Sequence, residues 1–191
     1  MAVVDPTKPI LGAPTTASVR ANFAAIADSI GFADYQDTAT TGAPIAVASS
    51  TWTDLTNNTL GVNTKTFALP SDVTGLWNPL THEFDFSTIP LYSMITIRAD
   101  YKITTSAANQ TLRQRMAFAI GDPVAFFLEQ TQTQFKTAAQ YQVVADYAFY
   151  IGSTPVRDNP AKIQAWSDAT ATIIVNGWYV KVEKMLRAVA P

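Results

Sequence analysis

The second half of the chain is dominated by segments in which apolar residues occupy every second position. The clearest segment, residues 140–151, places its apolar side chains on one face: Tyr141, Val143, Ala145, Tyr147, Phe149 and Ile151. Successive side chains of a β-strand point to opposite sides of the sheet, so the pattern predicts a strand with one buried face. Such a face requires a second sheet or another subunit to cover it.

Other short runs show the same alternation, and turn-forming residues separate them. They are residues 50–55, 64–69, 91–105, 111–120 and 125–132, a run around Ile163, and a run from Ile173 to Val182. About eight strands at this spacing predict an antiparallel sandwich or barrel. Residues 71–90 are predicted to be irregular. Asn176-Gly177 interrupts the last run, and this position fits either a bulge or a tight hairpin.

The N-terminal residues follow a different pattern. Residues 1–16 interleave prolines with aliphatic residues, namely Val3, Val4, Pro6, Pro9, Ile10, Leu11 and Pro14. Proline fixes its own φ and favours extended geometry in the preceding residue, so we predict an extended arm. Two interpretations stay open: a disordered terminus, and an anchor that becomes ordered when it binds a partner.

A short helix is predicted after the arm, because apolar residues there recur at helical spacing. The recurring residues are Val19, Phe23, Ile26 and Ile30. The candidates for its caps are Thr15, Thr16 and Ser18 at the N-terminus and Gly31 at the C-terminus. A helix this short needs a partner for its apolar stripe. That partner is either its own domain or a helical bundle around a symmetry axis.

These predictions divide the chain into three parts. Residues 1–32 form an N-terminal anchoring arm and helix, and residues 51–191 form the β-domain. Residues 33–50 are small, polar and interrupted by Gly42 and Pro44. This composition is typical of a linker.

Composition narrows the chemistry that the chain can carry. Charged residues make up 15% of the sequence, the formal net charge is −2, and there is no cysteine. Disulfides and thiolate chemistry are therefore excluded, and no basic surface is expected for nucleic acid. No apolar run reaches the roughly 18 residues needed to cross a membrane.

Candidate catalytic residues are sparse. His82 is the only histidine, and an extended His82-Glu83-Phe84-Asp85 segment would divide its polar side chains between two faces. We therefore expect no metal, no cofactor and no enzymatic activity. A pair of carboxylates for glycoside hydrolysis stays open, because acidic side chains can meet through the fold.

Four residues are candidates for a trimer or glycan-binding face. Arg113 and Arg115 lie on the polar side of one predicted strand, and Trp166 follows Lys162 and Gln164 at every second position, so it faces the polar side of another. Tyr150 is the fourth candidate. Aromatic residues on polar strand faces are typical of interfaces and of surfaces that stack on sugars. The arginines fit either solvated charge or an ion pair with an aspartate of a neighbouring subunit.

Several segments resemble the sequence phrases of virion jelly-roll modules from tailed bacteriophages. They are LRQRMAFAIG at 112–121, YQVVADYAFYIG at 141–152, RDNPAKIQAWSDA at 157–169 and VNGWYVKV at 175–182. Such modules are similar to tumour-necrosis-factor-like or C1q-like trimers. Upstream, PTTASVRANFAAI at 14–26 resembles the attachment segments of phage head and tail fibres.

The resemblance implies an eight-stranded jelly roll that forms a homotrimer. It implies a capsid decoration or cement protein (a head fibre), made in the host cytoplasm and bound to the major capsid protein on the outer surface of the virion. The implied anchor residues are Val3, Val4, Pro6, Pro9, Ile10, Leu11, Val19, Phe23, Ile26 and Ile30. The alternative is a tail-fibre or spike tip that binds a host surface glycan.

Overall fold

The computed structural model describes residues 16–130 and 133–185, which form three helices and twelve strands. The helices are α1 (Thr16–Ala27), α2 (Ala39–Gly42) and α3 (Thr154–Asp158). The first six strands are β1 (Ile30–Gln36), β2 (Ile45–Val47), β3 (Thr53–Asp54), β4 (Trp77–Asn78), β5 (Glu83–Phe84) and β6 (Met94–Thr105). The others are β7 (Gln110–Phe118), β8 (Phe126–Glu129), β9 (Thr133–Phe135), β10 (Gln140–Tyr150), β11 (Lys162–Ser167) and β12 (Ala171–Glu183).

Ten of the strands form two antiparallel five-stranded sheets that pack face to face, and β4 and β5 form a separate two-stranded sheet. The first sheet has the order β1-β12-β6-β10, with β2 also paired to β12; the second has the order β3-β11-β7-β8, with β9 also paired to β7. When β2, β4, β5 and β9 are set aside, eight strands remain. We number these eight strands from first to eighth in chain order. Across the first sheet the strands are then the first, eighth, third and sixth, and across the second sheet they are the second, seventh, fourth and fifth. This is the strand order of a jelly roll, and the predicted fold class is confirmed.

The alternating pattern places the predicted side chains in the core. On β6 the buried residues are Ile95, Ile97, Ala99, Tyr101 and Ile103, and on β10 they include Val143, Ala145 and Tyr147. Leu112, Met116 and Phe118 of β7 face them from the second sheet. Hydrophobic burial between two sheets therefore fixes the register, because a slip of one residue would turn each apolar set outward.

The interpretation of residues 33–50 as a linker is wrong, because this segment is part of the first sheet. The boundary predicted between residues 32 and 33 falls inside β1, which pairs with β12 along its whole length, and β2 pairs with the other end of β12. Between them, the Asp37 carboxylate accepts hydrogen bonds from the backbone N–H and the hydroxyl of Thr40. The Thr40 hydroxyl in turn accepts a hydrogen bond from the backbone N–H of Val175, 2.8 Å away. Small polar residues here satisfy buried backbone groups.

The helix is shorter than its apolar pattern predicts. α1 ends at Ala27, and Ile30 is the first residue of β1. Gly31 does not end the helix; a Cβ at this position would lie 2.5 Å from the carbonyl oxygen of Ala68. The absence of a side chain allows the segment 65–70 to approach β1, where the Phe32 N–H donates to that carbonyl at 2.9 Å.

Two other segments differ from the prediction. Residues 64–69 form no strand; they contact β1 through the isolated bridge Asp34↔Lys65 and through single hydrogen bonds such as that from Phe32 N–H to Ala68. Residues 71–90, predicted as irregular, contain the short hairpin β4–β5 and contribute large apolar side chains to the core, among them Leu76, Trp77, Phe84, Phe86 and Ile89.

The interruption at Asn176-Gly177 is a β-bulge and not a hairpin. Val175 pairs with Tyr101 and Gly177 pairs with Asp100, so Asn176 is the extra residue on β12. A Cβ on Gly177 would lie 2.5 Å from the carbonyl oxygen of Tyr35. The bulge therefore depends on glycine, because strand β1 passes too close for any side chain.

Candidate functional site

One end of the first sheet exposes a group of apolar side chains. The pairing register aligns Ile30, Glu183, Met94 and Tyr150 in one row across β1, β12, β6 and β10. Neighbouring strands lie about 4.8 Å apart, so the row spans about 14 Å. Ile30 is 59% exposed, Met94 43% and Tyr150 61%.

Helix α1, which ends at Ala27 shortly before Ile30, also exposes its apolar stripe. Phe23 is 67% exposed and Ile26 51%, and Val19 is also exposed, whereas Ala25 is buried. The helix therefore rests on the domain through a small residue and leaves its large apolar residues uncovered. We call Phe23, Ile26, Ile30, Met94 and Tyr150 the apolar end. Several large exposed apolar side chains in one region, here with Glu183 between Ile30 and Met94, are typical of an interaction site.

A buried lysine fixes the base of α1 to the sandwich. The Lys184 ammonium lies 2.6 Å from a carboxylate oxygen of Asp72 and 3.2 Å from one of Asp28, and the Lys184 side chain is 3% exposed. Asp28, just after the helix, also accepts a hydrogen bond from the backbone N–H of Ser71 at 2.8 Å. That hydrogen bond is the main reason why the pKa of Asp28 lies below its usual value, and Lys184 lowers it further. The helix is thus held in place independently of its exposed stripe.

A second, distinct surface lies on the outer side of the second sheet. The Arg115 guanidinium lies between two rings, with its central carbon 4.0 Å from the centroid of Trp52 and 3.8 Å from that of Phe127. Arg113 lies 5.4 Å from the Trp52 ring and 5.3 Å from the Trp166 ring. We call these five residues the arginine–aromatic surface. Cation–π contacts of this kind hold the rings and the arginines in fixed positions.

Polar side chains surround the arginine–aromatic surface. Arg115 Nε donates to Gln164 Oε1 at 2.7 Å, and Gln164 Nε2 donates to Asp54 Oδ1 at 2.6 Å. Lys162 Nζ donates to the other Asp54 oxygen at 2.8 Å, and Arg113 forms an ion pair with Glu129. Burial raises the pKa of Asp54, but the hydrogen bonds from Lys162 and Gln164 outweigh it, so this pKa is lowered overall. Burial lowers the pKa of Arg115.

The structure separates the predicted site residues into two groups. Arg113, Arg115 and Trp166 come together, whereas Tyr150 lies on the other sheet at the apolar end. Within the chain, Arg113 forms an ion pair with Glu129. Val3, Val4, Pro6, Pro9, Ile10 and Leu11 lie outside the described residues.

Sequence reasoning missed two members of the arginine–aromatic surface. Trp52 lies just before β3, in the run of residues 50–55 that predicts a strand. Phe127 lies on β8, where two adjacent phenylalanines leave the face ambiguous. The positions of both rings over Arg115 depend on the pairing of β8 and β11 with β7 and of β3 with β11.

Two cavities accompany these surfaces. One, of about 510 Å³, lies on the outer side of the first sheet and is lined by Asp34, Arg98, Asp146 and Tyr179 among others. The other, of about 490 Å³, lies between the edge strands β8 and β10. Among residues 16–130 and 133–185, no cluster of three or more potential ligands could hold a metal ion, and no helix is long and apolar enough to span a membrane.

No protein-family model and no curated protein sequence matches this chain. Among solved structures, it is similar to the PRD1 vertex protein P5, with 16% identity and a TM-score of 0.46 over 82% of this chain and 72% of that one. It is also similar to the Eiger TNF from S. frugiperda, with 9% identity and a TM-score of 0.48 over 85% and 97% of the two chains. A third is the CBM22-1 xylan-binding domain from Paenibacillus barcinonensis Xyn10C, with 13% identity and a TM-score of 0.36 over 81% and 94%. These values leave the function to be argued from the chain's own residues.

Proposed function

We propose that this chain is a structural protein of a tailed-phage particle, a decoration or cement protein on the outer surface of the head. The observation that carries the proposal is the apolar end, where α1 presents Phe23 and Ile26 beside Ile30. The sequence phrases that resemble phage virion modules support the same function. The partner is the major capsid protein, and the anchor comprises residues 1–31.

The apolar end suits a mechanical role. Its side chains are large, aliphatic or aromatic, and uncharged, and burying them releases about 25 cal/mol per Å² of apolar surface. Lys184 and Asp28 hold the base of the helix, so the exposed stripe is presented in a defined orientation. A modest contact of this kind, repeated over a symmetric shell, adds up through multivalency.

A head-binding assay tests the anchor. Purified heads that lack the protein are mixed with the wild-type chain, with Phe23→Asp, and with the control Leu80→Asp, which changes an equally apolar and 89% exposed residue of the β4–β5 turn. We expect Phe23→Asp to reduce co-sedimentation at least tenfold and the control to bind normally. Undiminished binding by Phe23→Asp, or by a chain without residues 1–31, would refute the anchor.

The same proposal includes a homotrimer with a threefold axis. A trimer would cover sheet edges such as β10, which are otherwise open to pairing with other chains. Three chains of 20.7 kDa give about 62 kDa. Light scattering after size exclusion is expected to give this mass, and a monomer at micromolar concentration would exclude the trimer.

A further inference from the structure

The strongest feature outside the apolar end is the environment of Arg115. Its guanidinium is held between the rings of Trp52 and Phe127, so both faces are covered and only its edge is free to meet a ligand. Gln164 fixes the orientation through Nε. A planar group held in this way loses little conformational entropy when a ligand binds at its edge.

The edge of this guanidinium carries N–H donors that make no hydrogen bond within the described residues. The side chain of an arginine has five N–H donors. Within residues 16–130 and 133–185, the side chain of Arg115 uses one of them, Nε, in its hydrogen bond to Gln164. The carboxylate of Glu129 pairs with Arg113, and Asp54 is engaged by Lys162 and Gln164. The charged groups nearest Arg115 are therefore already paired with others. Its two terminal nitrogens form the fork that binds a carboxylate in bidentate geometry.

The side chains around Arg115 indicate which class of ligand fits. Trp52, Trp166 and Phe127 supply flat aromatic surface, and Asp54, Lys162 and Gln164 supply donors and acceptors beside it. This composition differs from that of the apolar end, where uncharged side chains such as Phe23 and Ile26 suit a protein partner. A sugar ring has apolar C–H faces that stack on aromatic rings and hydroxyl groups that need hydrogen bonds at its rim.

We propose that the arginine–aromatic surface binds a glycan that carries a carboxylate, such as a sialic or uronic acid residue. The carboxylate is bound by the terminal nitrogens of Arg115. The sugar ring stacks on Trp166 or Trp52, and its hydroxyls meet the polar side chains around Gln164. This activity is separate from the proposed head binding, because the two surfaces lie on different sheets.

Titration calorimetry and ligand-observed NMR test the proposal with three probes: sialyllactose, a hyaluronan tetrasaccharide and lactose. We expect at least one acidic probe to bind the full chain at least tenfold more tightly than neutral lactose. The affinity should fall as salt is raised from 50 to 500 mM, because the contact includes an ion pair at a partly exposed site. Absence of binding by both acidic probes at 10 mM would overturn the proposal.

Variants of Arg115 and Trp166 test whether the glycan binds at the arginine–aromatic surface. Arg115→Gln keeps hydrogen-bonding groups but removes the charge, and it should remove the preference for the acidic probe. Trp166→Ala should lower the affinity for acidic and neutral probes alike. The matched control is Arg98→Gln, which changes an exposed arginine paired with Asp100 on the other sheet.

Circular dichroism checks each fold, and if Arg115→Gln does not fold, Trp166→Ala carries the test. Binding that equals wild type in the folded variants, or that is lost equally in the control, would contradict the assignment. Head binding by Trp166→Ala should stay normal, so failure here is distinguishable from failure of the anchor.

Discussion

Replacing Lys184 with methionine tests how α1 is attached to the sandwich. Methionine has a similar length and keeps the apolar contacts of the stem, but it removes the ammonium that binds Asp28 and Asp72. The two carboxylates stay partly solvated, with 28% and 25% of their side-chain surface exposed, so water replaces part of the lost interaction. We therefore expect a loss of about 1–3 kcal/mol in the free energy of unfolding, below the cost of stranding a fully buried charge.

Thermal denaturation measures this effect. For a chain of this size, 1 kcal/mol corresponds to about 2–4 °C, so the midpoint should fall by about 2–12 °C. The control is Lys102→Met, which removes an exposed lysine from strand β6 of the same sheet. A loss of less than about 0.5 kcal/mol, equal to that of the control, would show that the buried ion pairs do not stabilise the fold.

The pH dependence gives a second check on the same residues. The pKa of Asp28 is lowered in the folded protein, chiefly by the backbone N–H of Ser71 and further by Lys184. A lowered pKa contributes stability above the ordinary aspartate value of about 3.9, and this stability is lost as the pH falls through the folded pKa. The difference in stability between wild type and Lys184→Met should therefore be constant near pH 7 and decrease below about pH 4. A difference that grows on acidification would contradict this reasoning.

Two further predictions concern the core. Gly177→Ala should destabilise the fold by about 1–3 kcal/mol in chemical denaturation, because its Cβ would lie 2.5 Å from the Tyr35 carbonyl oxygen; an unchanged midpoint would contradict the close approach. Tyr147→Phe should cost less than about 0.5 kcal/mol, because the buried Tyr147 hydroxyl has no hydrogen-bond partner among the described residues. Tyr101→Phe should cost about 1–2 kcal/mol, since the Tyr101 hydroxyl donates to buried Gln114. Equal effects of the two substitutions would refute the distinction.

The candidate sites were only partly predictable from the sequence. The alternating pattern placed Arg113, Arg115 and Trp166 on polar strand faces, and the helical spacing identified Phe23 and Ile26. The pattern gave no indication that Tyr150 would lie in the same cross-strand row as Ile30. That position follows from the row Ile30–Glu183–Met94–Tyr150, which depends on three separate strand pairings.

The resemblance to phage virion modules implied the jelly roll, whereas the alternating pattern by itself determined the class of antiparallel sandwich or barrel and the buried face of each long strand. Both follow from a local rule, because the pleat sends alternate side chains to opposite sides of a sheet. Tertiary structure alone decided where the short polar segments go. Residues 33–50 are small and polar, yet they join the first sheet because β1 and β2 pair with β12 and the Thr40 hydroxyl accepts a hydrogen bond from the buried backbone N–H of Val175.

The same distinction explains the surroundings of Arg115. Its exposure on β7 is a local property, whereas its position between Trp52 and Phe127 depends on β11 and β8 pairing with the two sides of β7. Such contacts join residues from separate parts of the chain, and their free energy is gained only when the whole sandwich closes. A local pattern can therefore predict which side chains face outward, but it cannot predict which of them meet.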